Sequence, residues 1–408
     1  MTSCFRTCVI AALAGIGIAP SAAAATVSTL KVMTFNVWVA EGTSAGRTKL
    51  AEIMQTSGAD VIGVQELDNS AGLAIAAAMG FHYHQQSGGD IQVLSRYPIV
   101  GQSPGNLGVK IELSPGQEAW LFNAHLAPYP YQPYDLRDGV LPLSESMVIA
   151  AANAARGGQV TAYLNDMAAA VDSQLPVFFT GDFNEPSHLD WTAAVAAATP
   201  RTFDLQVEYP ASRRIVDAGM TDSLRTVRPD PVTDPAYTWT PGAPPPNLDA
   251  NEVHDRIDIV YHAGLGVTPT SAANVGYPDG SVNTNLAITG YNADHRSVVV
   301  SYSLTPVLDG DFNADQQIDI ADWAILRNNQ LADLLNLPSQ EAYKRGDLTG
   351  DFRNDHADFV RFKAIFDGLY GVGALAAMTA EAPEPTAAVM LATGIVSLGL
   401  RRRSFVIA

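Results

Sequence analysis

Short runs of β-branched and aromatic residues, most of them closed by a polar residue, recur along the chain up to about residue 300. Residues 30–38, 61–66, 91–98, 118–126 and 176–180 read as buried strands. Between them, residues 47–55 place Leu50, Ile53 and Met54 at helical spacing, and the Ala-rich stretch 71–79 predicts a second helix. Residues 144–172 predict a helix broken near Gly157-Gly158, and 190–198 a further one. Residues 253–261 read as a strand in which Arg256 and Asp258 share a face, and charges in so apolar a run need partners. A closing strand follows Asp294-His295. Strand, helix and strand in alternation predict an α/β domain.

The polar residues that close these runs carry the chemistry. They are Asn36, Glu66, His125, Asp182, Asn184, Asp258, Asp294 and His295. Strand ends are where ligands gather in α/β sheets. Carboxylates and amides without a cysteine favour a hard cation such as Mg²⁺ or Mn²⁺, and two histidines beside acids supply a base and an acid. After His125 come Tyr129, Tyr131 and Tyr134 among prolines, then Arg137. This stretch reads either as an aromatic substrate wall with Arg137 available for a phosphate or as a Pro-rich surface loop.

Charge narrows the substrate. The chain carries 42 acidic against 24 basic residues, a formal net charge of −18, so a strong sequence-independent grip on nucleic acid is not expected. At the N-terminus, Arg6, the apolar run 9–18 and the small residues 20–25 read as a signal peptide over residues 1–25, too short to span a bilayer. Cys4 and Cys8 both lie inside it, which leaves the exported chain without a thiol.

In this order the segments resemble the endonuclease/exonuclease/phosphatase superfamily, which includes DNase I and bacterial sphingomyelinases. The matching stretches are Thr34-Phe-Asn-Val-Trp38, Val64-Gln-Glu66, Leu94-Ser-Arg-Tyr-Pro98, Asn123-Ala-His-Leu126, Gly181-Asp-Phe-Asn184, Arg256-Ile-Asp258, and Asp294-His-Arg296 before Ser297. The resemblance covers roughly residues 28–304 and implies a four-layer sandwich of two packed mixed β-sheets with flanking helices. It also implies metal-assisted hydrolysis of a phosphoester by in-line attack of water. Glu66, helped by Asn36, would hold Mg²⁺. His295 would act as base, oriented by Asp258, with Asp294 near a second metal or tuning the imidazole. Asp182 would position the water, while Asn184 and His125 would stabilise phosphoryl oxygens. Asp90, after Gly88-Gly89, stands near the place of the acid that should orient His125.

Past residue 305 a different pattern begins. Asp311, Asn313, Asp315, Gln317, Asp319 and Asp322 place oxygen donors at the offsets of a calcium loop, and Asp347, Thr349, Asp351, Asp355 and Asp358 repeat them. The pair resembles a dockerin module, with Gln316 and Phe352 where glycine is usual, and implies Ca²⁺ and a possible cohesin-like partner. Pro383-Glu-Pro385, the apolar run 387–400 and Arg401 to Arg403 resemble a PEP-CTERM sorting signal, which implies an exosortase-type protease.

The expected organisation is therefore a signal peptide (1–25), a catalytic domain (26–305), a small helical calcium-loop module (306–366), a linker (367–382) and a sorting segment (383–408). The expected function is an exported metal-dependent hydrolase of a phosphodiester or phosphomonoester, held transiently at the membrane. A secreted DNase I-like endonuclease and a catalytically silent surface binding module are the rival readings.

Overall fold

The computed structural model describes residues 26–38, 40–198, 204–240 and 252–381. The expected signal peptide and sorting segment lie outside the described residues. Among the described residues no helix is long and apolar enough to cross a membrane.

The strands are β1 (Thr29–Asn36), β2 (Val61–Gln65), β3 (His82–Gln85), β4 (Ile91–Ser95), β5 (Ile99–Gln102), β6 (Gly108–Ser114), β7 (Gln117–His125), β8 (Val177–Asp182), β9 (Thr221–Asp222), β10 (Asp258–Ala263), β11 (Val267–Gly276), β12 (Leu286–Ala287) and β13 (Ser297–Leu304). They form a seven-stranded sheet in the order β12-β11-β13-β1-β2-β4-β3 and a six-stranded sheet in the order β5-β6-β7-β8-β10-β9. Both sheets are mixed: β1 and β2 run parallel, as do β7 and β8, while β13 and β10 pair antiparallel to β1 and β8.

The period of two along each strand explains the layers. Leu30 and Val32 of β1, Val61 of β2, Leu121 of β7, Phe178 of β8 and Val260 of β10 meet in one core between the sheets. The alternate residues face outward. Met33, Phe35, Ile62 and Val64 pack under the helices Ser44–Ser57 and Asn69–Met79, and Phe122, Phe179 and Tyr261 pack under Glu145–Asp172 and Pro210–Asp217. The result is the four-layer α/β sandwich.

Along the inner face the residues turn polar towards one end of the sandwich. Thr34, Gln65, Asn123 and Thr180 are all buried there and form a cross-sheet network. Gln65 Nε2 donates to Asn123 Oδ1 at 2.5 Å, and Thr180 Oγ1 donates to the same oxygen at 3.0 Å. Gly63 makes the close approach possible, because a Cβ there would lie 2.1 Å from Thr180 Oγ1. The next inner-face positions, Asn36, His125 and Asp182, reach the end of the sandwich, as does Asp258 at the start of antiparallel β10.

Three expected boundaries differ. The helix Glu145–Asp172 runs through Gly157-Gly158 without a break. Two helical glycines cost about 1 kcal/mol each, which the buried stripe of Val148, Ala152, Val160, Tyr163 and Met167 offsets. The helix expected over 190–198 is confined to Ala193–Ala198, since Asp190 is engaged by Arg225 and Arg256. The strand expected over 253–261 begins only at Asp258, because Asp255 pairs with Trp239 instead.

After β13 a helical module packs Phe312, Ile318, Leu326, Tyr343, Leu348, Phe362 and Phe366 into its own core. Each candidate calcium loop leads into a helix, Ile320–Asn328 or His356–Tyr370, through a capping box, Asp319 with Asp322 and Asp355 with Asp358. Gln316 and Phe352 adopt φ of 68° and 62°, the left-handed turn that glycine takes most readily. The expected linker is a correction: His356–Tyr370 extends into it, Ala374–Glu381 is a helix, and Leu375 joins the module core. The module also takes in Leu265, from the turn between β10 and β11.

Candidate active site

The strand-end residues meet around Asp182, which is 1 % exposed. Asn36 Nδ2 donates to Asp182 Oδ2 at 2.9 Å and to Glu66 Oε1 at 3.0 Å, which joins the two sheets through one amide. Asn36 Oδ1 accepts from Trp38 N at 3.0 Å. In this arrangement Asn36 positions the two carboxylates. Asn184 N donates to Asp182 Oδ1 at 2.9 Å, and its Nδ2 donates to Leu126 O at 2.9 Å and faces Asp182 Oδ2 at 3.3 Å. Asn184 therefore holds Asp182, and it lines the cavity above it. Glu66 and Asn184 both have positive φ, 58° and 47°. Backbone strain of about 1–3 kcal/mol per such residue is tolerated where the surrounding structure fixes it, as at functional sites.

Two imidazoles flank Asp182, each backed by a carboxylate. His295 Nδ1 lies 2.8 Å from Asp258 Oδ2, and its Nε2 is 3.9 Å from Asp182 Oδ2. His125 Nδ1 lies 2.7 Å from Asp90 Oδ2, while its Nε2 is 3.6 Å from Glu66 and 3.8 Å from Asp182. Burial opposes the charge on His295, yet the carboxylates of Asp258, Asp182 and Asp294 outweigh it and hold the imidazole up at about 10. At His125 burial is likewise outweighed, by the Asp90 hydrogen bond and the nearby carboxylates, and its pKa rises. Burial pushes the Asp294 carboxyl up to about 6, and its Oδ1 is enclosed without a hydrogen-bond partner among the described residues.

This donor set fits a divalent cation. Ligand atoms of Glu66, His125 and Asp182 lie within 4.8 Å of one another, and so do those of Asp182, Asp258 and His295. The donors open to a cation are the hard carboxylate oxygens of Glu66 and Asp182, with no thiol, and Asp294, one oxygen of which is unsatisfied among the described residues, lines the same cavity.

A cavity of about 250 Å³ opens over these groups, with Trp38, Tyr129, Tyr131, Tyr134 and Trp239 as its aromatic walls. The Trp239 ring lies 4.8 Å from that of His295, and its Nε1 donates to Tyr134 OH at 3.1 Å. Tyr131 OH donates to buried Asp255 at 2.7 Å. Arg137 is a correction to the expected phosphate contact. Its guanidinium pairs with Asp138 and Glu252 at 2.8 and 2.9 Å and lies 4.4 Å over the Tyr134 ring. None of the described residues lining the cavity is Lys or Arg. Trp239, Asp255 and Arg156 also belong to this end of the molecule, yet no periodicity marks them. Only Trp38, two residues past Asn36 on the same alternation, had a signal that could have found it.

Of the two acidic loops, the second gathers its carboxylates, with Asp347, Asp351 and Asp358 offering oxygens within 4.8 Å of one another. In both loops the last acid accepts from the residue after the first, Asp322 Oδ1 from Phe312 N and Asp358 Oδ1 from Leu348 N, each at 2.8 Å, and Asp311 Oδ2 and Asp347 Oδ2 accept from Gln316 N and Phe352 N, each at 2.8 Å.

The sequence profile of the Endonuclease/Exonuclease/phosphatase family matches residues 33–290. The chain belongs to this family, whose members hydrolyse phosphodiester bonds with a divalent metal. An uncharacterized protein of Caenorhabditis elegans, F14F9.5, is 27% identical over 253 residues, covering 58% of this chain and 79% of that protein. Among solved structures, D. rerio TDP2 complexed with single strand DNA product is 17% identical, with a TM-score of 0.43 over 68% of this chain and 99% of that one. An endonuclease/exonuclease/phosphatase from Beutenbergia cavernae is 17% identical, with a TM-score of 0.42 over 68% of this chain and 72% of that one.

Proposed function

We propose that this chain is an exported Mg²⁺- or Mn²⁺-dependent phosphodiesterase that hydrolyses a small phosphoester by in-line attack of water. The observation that carries the reading is the convergence of two carboxylate-backed imidazoles on Asp182, which lines one cavity together with Glu66, Asp294 and His295. Glu66 would hold the cation together with Asp182, and the bound ion supplies Lewis-acid stabilisation of charge on the phosphoryl oxygens. Asp182, fixed by Asn36 and Asn184, positions the water and takes its proton as the new P–O bond forms. His295, oriented by Asp258 and 3.9 Å from Asp182, stabilises a phosphoryl oxygen beside it. His125, oriented by Asp90, gives its proton to the departing oxygen. A cavity whose described lining carries aromatics and carboxylates and neither Lys nor Arg supports a small diester over a nucleic acid.

The same reading assigns Ca²⁺ to the loops 311–322 and 347–358, a cohesin-like protein as a possible partner of that module, and an exosortase-type protease to the tail. The gathered carboxylates of Asp347, Asp351 and Asp358 support the calcium. The testing experiment is hydrolysis of bis-p-nitrophenyl phosphate by the full chain with Mg²⁺ and with EDTA. Turnover that EDTA abolishes is expected; equal rates in both would remove the metal-dependent mechanism, and inactivity on this ester and on p-nitrophenyl phosphate would favour the binding-module reading.

A further inference from the structure

Arg156 is wholly buried in the helix Glu145–Asp172 and does not reach the cavity. Its Nε donates to Ala127 O at 2.9 Å, Nη1 to Gln132 Oε1 at 2.7 Å, and Nη2 to both Pro128 O and Pro130 O at 3.2 and 3.0 Å. The nearest carboxylate, Glu185, stands 3.8 Å away. Burying a guanidinium is costly, and here its planar fork is satisfied mainly by carbonyls of one surface loop. Two of those carbonyls belong to the residues on either side of Tyr129. The backbone that presents Tyr129 is therefore pinned from beneath, although the side chain itself is 72 % exposed.

The neighbouring tyrosines are engaged. Tyr131 bonds Asp255, and Tyr134 carries Arg137 on its face. Tyr129 has no ring, cation or hydrogen-bond partner among the described residues, and Trp38, 51 % exposed on the same cavity, has no ring partner there. An aromatic ring carried on a held backbone at the mouth of a site offers its face to a ligand with only its own side-chain rotamer left to order.

We propose that Tyr129, held by Arg156, is a stacking surface that makes the site selective for a phosphoester bearing a planar ring, with Trp38 as a second aromatic surface of the same mouth. The proposal rests on the reading of this cavity as the phosphoester site. Arg156 acts as a positioning residue, through the loop and not on the ligand.

The test is calorimetric titration of the full chain, with Mg²⁺ present, using phenylphosphonate, methylphosphonate and thymidine 5′-monophosphate. Phenylphosphonate should bind about five- to ten-fold more tightly than methylphosphonate, the ratio that one aromatic pair supplies. Tyr129→Ala should lower that ratio about two- to three-fold, the rest coming from Trp38, and Tyr129→Phe should restore it. Arg156→Met should shrink it with Tyr129 intact. Equal affinities in the parent chain, or an unchanged ratio in Tyr129→Ala, would overturn the proposal. Thymidine 5′-monophosphate binding as well as phenylphosphonate identifies the ring as a nucleobase, whereas weaker binding identifies a simple aryl group; both uphold the stacking surface. Phenyl selectivity in a chain that turns over no phosphoester would refute the proposed activity and leave the stacking surface standing.

Discussion

At the scale of single residues, Asp182 is the junction: Asn36, Asn184, His125 and His295 all face its carboxylate. Under the proposed mechanism, Asp182→Ala or His295→Ala should lower kcat by about 10²–10⁴-fold, the range of positioned acid–base groups. Steady-state hydrolysis of bis-p-nitrophenyl phosphate checks this, and unchanged turnover in either variant would dismiss the assignment. Glu185 offers an independent test in stability. Burial pushes its carboxyl from the usual 4.5 up to about 7, and only one of its oxygens is bonded, by Ala211 N. The folded chain therefore binds this proton more tightly than the unfolded one. The contribution is fully present below 4.5 and is lost as pH rises through about 7. Glu185→Gln should flatten the fall in melting temperature between about pH 5 and pH 8, the window in which such a raised carboxyl titrates.

At the scale of elements, one feature of the strands does most to build the site. Each inner face passes from apolar to polar along the strand, so the contacts that pack the sheets also aim Asn36, His125 and Asp182 at a common end. Parallel pairing of β1 with β2 and of β7 with β8 brings their C-terminal ends level, and antiparallel β10 contributes its first residue, Asp258. The acidic loops show a local conflict instead. Exposed Gln316 sits at φ 68°. Gln316→Gly should raise the stability of the module by about 1 kcal/mol, the cost of a left-handed non-glycine residue; a chemical-denaturation midpoint measures it.

At the scale of the whole molecule, the helical module is joined to the sandwich by packing as well as by the chain. Leu265 lies 7 % exposed in the module's core cluster, and a Cβ on Gly219 would come 2.9 Å from Pro338 Cβ. Leu265→Ala should cost about 2–5 kcal/mol, as buried leucine truncations do. It should also split thermal unfolding of the full chain into separate transitions, which differential scanning calorimetry resolves. A single unshifted transition would show that the two parts do not support one another.

The α/β class, the strands that end in Asn36, Gln65, His125 and Asp182 and the strand-end constellation were legible in the sequence, because a period of two or of 3.6 assigns faces from local order alone, whereas β6, β11 and the helix Pro210–Asp217 were not read there. That order also marked Asp90 as the acid nearest to His125 in expected place, and the two acidic loops by their spacing. Other features required the folded chain. Arg137 was free in the sequence and is bound to Asp138 and Glu252 in the structure; Gly157-Gly158 promised a break that tertiary packing overrides; and residues expected as a linker close a small core around Leu375. Arg156 gave no signal at all, since its partners are carbonyls of a loop that only folding brings beneath it. Faces are set by neighbours a few residues away. The partner of a charge and the exposure of a ring are set by distant segments, and those only the tertiary structure decides.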